Sequence, residues 1–139
     1  MVKKVAIISL SRGILGEPFI SHELKIGLDR LKNYGLEVVT TESALKGLDY
    51  IKNNPQARAK DLLDSLNDKS IDMILCAIGG DDTYKLLPYL FENDELKKAV
   101  KNNKKFSLAI QIQRGIILCS IKLASKLFTA RPLLPTCAN

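Results

Sequence analysis

Histidine is nearly missing from this chain of 139 residues, where His22 stands alone, and tryptophan is absent altogether. A lone imidazole excludes histidine-rich metal sites. His22 falls in the first turn of an expected helix without a visible catalytic partner, which makes it a surface or capping residue. Cysteine is scarce and odd in number: Cys76, Cys119 and Cys137 are widely spaced and show no metal-type pairing, as expected of reduced thiols in a cytoplasmic protein. No apolar stretch approaches the roughly 18 residues of a membrane span. The opening Met1-Val2-Lys3-Lys4 leads into a strand-like run with no small-residue cleavage site, so no signal peptide and no membrane partner are expected. Acidic residues are missing from residues 107–139, which carry Arg114, Lys122, Lys126 and Arg131. That stretch supplies +4 of the formal net charge of +6, leaving +2 for residues 1–106. The basic excess is therefore not a stripe on a fold, and nucleic acid is not an expected partner.

What is present describes a globular chain. Hydrophobic residues make up 46% and charged residues 26%, a balance that can build one domain with a real core. Strand-like and helix-like segments alternate, which argues for an α/β domain with a mostly parallel sheet covered on both faces. Lys4–Leu10 reads as a first buried strand, and Ser11–Pro18 as a glycine-punctuated loop. That loop lacks the first glycine of a dinucleotide fingerprint and has no P-loop lysine. A helix is expected from Ser21, with Leu24, Ile26, Leu28 and Leu31 as its stripe and Gly35 as its stop. Leu36–Thr41 is a short, edge-like strand, and Glu42–Asn54 a connection without a clear pattern. Pro55 opens the next helix, through Ala57, Ala59, Leu62, Leu63 and Leu66. A helix over Glu92–Lys101 and a strand over Phe106–Ile112 complete the alternation, with Pro88 bending the short helix between.

The most informative stretch is Met73-Ile74-Leu75-Cys76-Ala77-Ile78-Gly79-Gly80-Asp81-Asp82-Thr83-Tyr84. Six apolar residues predict a strand buried on both faces. Gly79 and Gly80 suit a tight turn with positive φ and a close approach to the backbone. Asp81 or Asp82 can cap the helix that follows. Backbone N–H groups at such a turn can serve an anion or a developing oxyanion. The same spacing also fits an ordinary strand-to-helix turn, and the residues alone leave both readings open.

Three blocks together carry a resemblance: Ser9–Pro18, Asn54-Pro55-Gln56-Ala57-Arg58-Ala59, and Gly79-Gly80-Asp81-Asp82-Thr83-Tyr84-Lys85-Leu86-Leu87-Pro88-Tyr89. Over about residues 3–106 the chain resembles the LD-carboxypeptidase family, serine peptidases that include muramoyltetrapeptide carboxypeptidase and the microcin-immunity proteins. The resemblance implies a Rossmann-like (flavodoxin-like) three-layer domain, the N-terminal half of a two-domain protein. It implies an activity that cleaves L,D-amide bonds of murein peptides or related acyl amides, with no cofactor and no metal. In the family, the strand after this region ends in a Gly-Phe/Tyr-Ser-Asp-Thr-Thr elbow, whose serine is activated by a histidine and a glutamate of the C-terminal domain. Carried over by position, Gly79, Gly80 and Asp81 would be backbone donors for the oxyanion and the substrate carboxylate, with Asp82 and Thr83 bordering the pocket. A flavodoxin-like binding domain would explain the alternation but not these blocks.

The chain departs from the family after Phe106. Where the elbow is expected it reads Ser107-Leu108-Ala109-Ile110-Gln111-Ile112-Gln113-Arg114-Gly115, with no serine in place. Written with permitted codons, Ile110–Ile117 is ATT CAG ATA CAA CGA GGA ATC ATT. Read from its third base, that string encodes Ser-Asp-Thr-Thr-Arg-Asn-His, and Leu108-Ala109 permits Gly-Tyr just before it. A one-base frameshift near Phe106–Ser107 accounts for the match and for a tail without acids. The expected organisation is a family-like domain at 1–106, a non-family tail at 107–139, and no C-terminal catalytic domain. Such a chain has no catalytic residues of its own. It should bind at most a small peptide or carboxylate, and the surface left by the missing domain predicts homo-oligomers.

Overall fold

A strand that is apolar at every position needs cover on both faces, and Val5, Ala6, Ile7 and Ile8, all buried, meet that condition inside a sheet. The computed structural model describes residues 2–102 and 106–109, with the backbone alone at 93, 102 and 106–109. Its sheet has the order β2-β1-β3-β4, formed by β1 (Lys4–Ile8), β2 (Glu37–Thr40), β3 (Met73–Cys76) and β4 (Phe106–Ala109). Every neighbouring pair is parallel. β2 lies at an edge as expected, and β3 lies between β1 and β4. The strands are shorter than the apolar runs suggested. β1 ends at Ile8 and β3 at Cys76, although Ala77 still donates to the Ile8 carbonyl at 2.8 Å. For β4, the expected portion beyond residue 109 lies outside the described residues.

The register follows from side-chain alternation. Ala6 stands opposite Val39 and Ile74, and Ile8 opposite Cys76, so one face of the sheet carries Ala6, Ile8, Ile74 and Cys76. That face meets Ala59, Leu62, Leu63 and Leu66 of α3 (Pro55–Asn67), Leu90 of α4 (Leu87–Phe91), and Leu96 and Ala99 of α5 (Glu95–Asn102) in one core. At the amino end, the Asp72 carboxylate accepts from the amides of Lys3 at 2.8 Å and Lys4 at 2.9 Å, which anchors β1 beside β3. Those bonds, Lys4 first, hold the Asp72 carboxyl below its usual range.

Helix ends follow local chemistry. The helix α1 (Ser21–Asn33) stops where Gly35 takes φ 77°. There Leu36 N–H donates to the Leu31 carbonyl at 3.2 Å and Gly35 N–H to that of Lys32 at 2.8 Å, the paired bonds of a Schellman stop. α3 opens on Pro55, whose missing N–H costs nothing in a first turn. Pro88 likewise sits in the first turn of α4, where a 3₁₀ turn over Thr83–Leu86 gives way to α geometry. The helix expected over Glu92–Lys101 is divided: Asp94 takes φ 56°, closing a 3₁₀ turn at Glu92–Asp94 before α5 begins at Glu95. An aspartate tolerates that left-handed conformation better than most residues.

The unpatterned connection proves ordered. It forms a 3₁₀ turn at Ser43–Leu45 and a short helix α2 (Leu48–Asn53), joined by Gly47 at φ 87°. Glu17, from the loop after β1, accepts from the Leu48 N–H at 2.7 Å. Among the described residues no helix is long and apolar enough to cross a membrane. Ile74 is 1% exposed at the centre of the core. Ile74→Ala is expected to cost roughly 2–5 kcal/mol, read as a lower midpoint in urea unfolding.

Candidate functional site

In an open parallel sheet, ligands meet the carboxyl ends of the strands where the order reverses, because adjacent loops there diverge to opposite faces. Here the reversal falls between β1 and β3. The loops leaving those two strands, Ser9–Arg12 and Gly79–Thr83, meet there.

Their contact is built from side chains. The Ser11 hydroxyl donates to Asp82 Oδ1 at 2.6 Å. Arg58 reaches the same oxygen from α3, Nη1 to Oδ1 at 3.1 Å, and also donates to the carbonyls of Leu10 at 3.1 Å and Ser11 at 3.2 Å. The Arg58 side chain is 0% exposed and that of Asp82 21%. Lys85 Nζ stands 3.8 Å from the other Asp82 oxygen. Burial by itself would raise the Asp82 pKa. The hydrogen bonds from Ser11 and Arg58, and then the charges of Arg58 and Lys85, outweigh it and hold the carboxyl below the usual aspartate range.

The sequence-derived site residues take distinct places. Gly79 is half-buried, while Gly80 and Asp81 are exposed. Neither glycine has positive φ, since Gly35 and Gly47 are the glycines that do among the described residues. Gly80 is needed for its lack of a side chain, because a Cβ there would overlap the Ser11 hydroxyl. The expected helix cap is also not made. Asp82 occupies the N-cap position of the Thr83–Leu86 turn without a side-chain capping bond. Its carboxylate is instead committed to Ser11 and Arg58. Thr83 is buried, and its hydroxyl has no hydrogen-bond partner among the described residues. His22 lies exposed in the first turn of α1.

Arg58 belongs to this site, yet helical periodicity alone does not announce it. Its signals were its place in the Asn54–Ala59 block and its position, since 58, 62 and 66 share a helix face and the other two are buried leucines. The Ser9 hydroxyl and Arg58 Nε and Nη2 are likewise buried without partners among the described residues. A cavity of about 500 Å³ lies elsewhere, between α3, α4 and α5, lined by Gln56, Leu63, Tyr89 and Glu95 among others. None of its lining residues belongs to the two loops at the strand ends. Chemically, the loop pair offers a backbone turn packed beside an internal ion pair, with Asp81 exposed next to it.

Residues 5–107 match the LD-carboxypeptidase N-terminal domain. The crystal structure of an MccF-like protein from Streptococcus pneumoniae in complex with AMP is similar at 60% identity and a TM-score of 0.70, covering 71% of this chain and 29% of that one. The microcin C7 self immunity protein MccF in its wild-type apo state is similar at 22% identity and a TM-score of 0.64, covering 76% and 29%. The same protein in complex with glutamyl sulfamoyl guanosine gives 22% identity and a TM-score of 0.63, with the same coverage. At that identity the MccF structures show the fold alone. The chain thus spans 29% of the length of these three structures. Comparison with curated proteins gave no match.

Two outcomes test the site as built. Gly80→Ala should disturb the turn because its methyl meets Ser11, and the double change Ser11→Gly with Gly80→Ala should recover part of the lost stability by opening that space. Thermal unfolding of the three proteins reads this directly. Asp82→Asn should cost about 2 kcal/mol at pH 7, below the range for fully buried pairs because Asp82 is partly exposed. A carboxyl with a depressed folded pKa stabilises fully above its unfolded value, about 4, and loses that contribution as pH falls through the folded value. The gap between wild type and variant should hold from pH 7 to about 4 and close below it, in urea unfolding at stepped pH.

Proposed function

Since the chain belongs to the LD-carboxypeptidase family, we propose that residues 1–106 are the N-terminal half of a serine peptidase that cleaves L,D-amide bonds of murein peptides or related acyl amides in the cytoplasm. In this reading Gly79, Gly80 and Asp81 present backbone donors to the oxyanion and the substrate carboxylate, and Thr83 borders the pocket. Asp82 acts from behind the turn. The observation that carries it is the pairing of β4 with β3, in which Ala109 stands opposite Cys76. A chain leaving β4 at that register starts level with the chain leaving β3 for Gly79 and Gly80. That is where the family's elbow serine would have to meet its oxyanion donors.

The 139-residue chain is itself catalytically silent. No serine occupies the elbow, so no acyl intermediate can form there, and the histidine and glutamate belong to a domain that residues 107–139 do not resemble. Those residues are the out-of-frame reading of an elbow and of the segment beyond it. In this reading the chain retains at most weak binding of a small peptide or carboxylate, and self-association. Neighbouring structures hold AMP, glutamyl sulfamoyl guanosine and aspartyl sulfamoyl adenosine. Acidic aminoacyl groups joined through an acyl linkage support acyl amides as an alternative substrate class.

Loss of the nucleophile or base in a serine hydrolase removes roughly 10⁴–10⁶ in rate. The pure chain should therefore show no turnover of an L,D-linked tetrapeptide by mass spectrometry. A one-base correction near Phe106–Ser107 should encode Gly-Tyr-Ser-Asp-Thr-Thr, continue into a second domain and restore release of the terminal D-residue. Turnover by the uncorrected chain would overturn this account, as would a stop codon met within the motif in the alternative frame.

A further inference from the structure

Position 58 faces the core. On its helix it shares a face with Leu62 and Leu66, where an apolar side chain would fill the space without the cost of stripping water from a charge. An arginine there needs an account in geometry. All three of its described acceptors lie at the carboxyl end of the sheet, and they come from two separate loops. The Leu10 and Ser11 carbonyls belong to the loop after β1, and the Asp82 carboxylate to the turn after β3. Nη1 carries two hydrogens for these three oxygens, so the loops converge on one atom.

The other contacts of the same turn leave it little freedom. Ser11 donates to the oxygen that Arg58 holds, and Ser11 also fills the space in front of Gly80. Moving Asp82 outward would break both bonds. Moving Ser11 would undo the close fit at Gly80. Arg12 continues the same loop with its stem near Gly80, and Lys85 balances the second Asp82 oxygen from the outside. Within the Asp81-Asp82 pair, the first side chain is exposed and the second faces inward.

We propose that Arg58 is a positioning residue for the Gly79–Thr83 turn. Acting through Asp82 and the Leu10–Ser11 carbonyls, it sets where the turn's backbone stands relative to β1. It thereby divides the paired aspartates into an internal strut, Asp82, and an exposed carboxylate, Asp81. The role deepens the reading of that turn as the donor site and rests on it, but its physical content is tested without turnover. A lysine keeps the charge at position 58 but not the flat guanidinium that spans two loops. A methionine keeps much of the bulk and removes the charge.

The test uses isotopically labelled 139-residue chain as wild type, Arg58→Lys, Arg58→Met, and Arg58→Met combined with Asp82→Asn. Nuclear magnetic resonance reads the backbone amides of Gly79, Gly80 and Asp81 and the titration of the Asp82 carboxyl carbon. In Arg58→Met the Asp82 titration should move up from its depressed position and the turn amides should shift, while the amides of β2 stay in place. In Arg58→Lys the Asp82 titration should remain partly depressed with the turn amides still displaced. The double variant removes the stranded charge, so its thermal stability should exceed that of Arg58→Met, yet its turn amides should remain displaced. If the double variant recovered wild-type amide positions, or Arg58→Met left them unmoved, Arg58 would be a charge partner only and the proposal would fall. Should Arg58→Met fail to fold, the lysine and double variants decide between the same outcomes. Failure of the frame-corrected protein to cleave its peptide would sink the functional reading and leave these positions as measured.

Discussion

A guanidinium with no exposed surface can exist in this fold only because one carboxylate and two carbonyls come to meet it. An isolated buried charge would cost far more than a domain of this size can spare. The Arg58–Asp82 pair therefore constrains everything around it. α3 must lie where its first turns reach the loop after β1, and the chain leaving β3 must turn back toward that loop. Gly80 must lack a side chain so that Ser11 can complete the arrangement. The strands align the loops, but this internal ion pair decides their spacing.

Much of that architecture was legible in the chain. β1 and β3 stood out as unbroken apolar runs. β1 is indeed buried along Val5–Ile8, whereas in β3 Ile74 and Cys76 are buried and Met73 and Leu75 only half-buried, so its second face is less covered than the run suggested. α1 and α3 announced themselves through periodicity, with Gly35 and Pro55 marking a stop and a start. Other features were hidden because their causes are not local. α2 begins under a cap supplied by Glu17, 31 residues earlier, and no window around Leu48 contains that information. The break at Asp94 depends on a single backbone conformation. At the Gly-Gly turn the residues suggested conformational freedom, whereas the structure uses absent volume. Both explanations predict glycine, and only the position of Ser11 separates them.

The same distinction applies to Asp82. An aspartate before a helical turn is ordinarily read as a cap, because its short side chain can reach the first free amides. That reading fails when a stronger donor lies behind it. The charged, hydrogen-bonded Arg58 outcompetes the weak capping alternative, and the 3₁₀ turn starts with a backbone bond, Lys85 N–H to the Asp82 carbonyl at 3.1 Å. A helical stripe interrupted by a charge is thus a signal in its own right, and its partner is found by asking which carboxylate has no local use.

The strand order also bears on synthesis of the protein. β1 is made first, yet its two neighbours are β2 and β3, so its second edge stays open until Met73–Cys76 has left the ribosome. Parallel pairing cannot close through a hairpin, and long crossovers make such contacts slow to form. During that interval Val5, Ala6, Ile7 and Ile8 form a bare, sticky edge on a nascent chain. The topology thus exposes this segment to holding chaperones until Met73–Cys76 emerges.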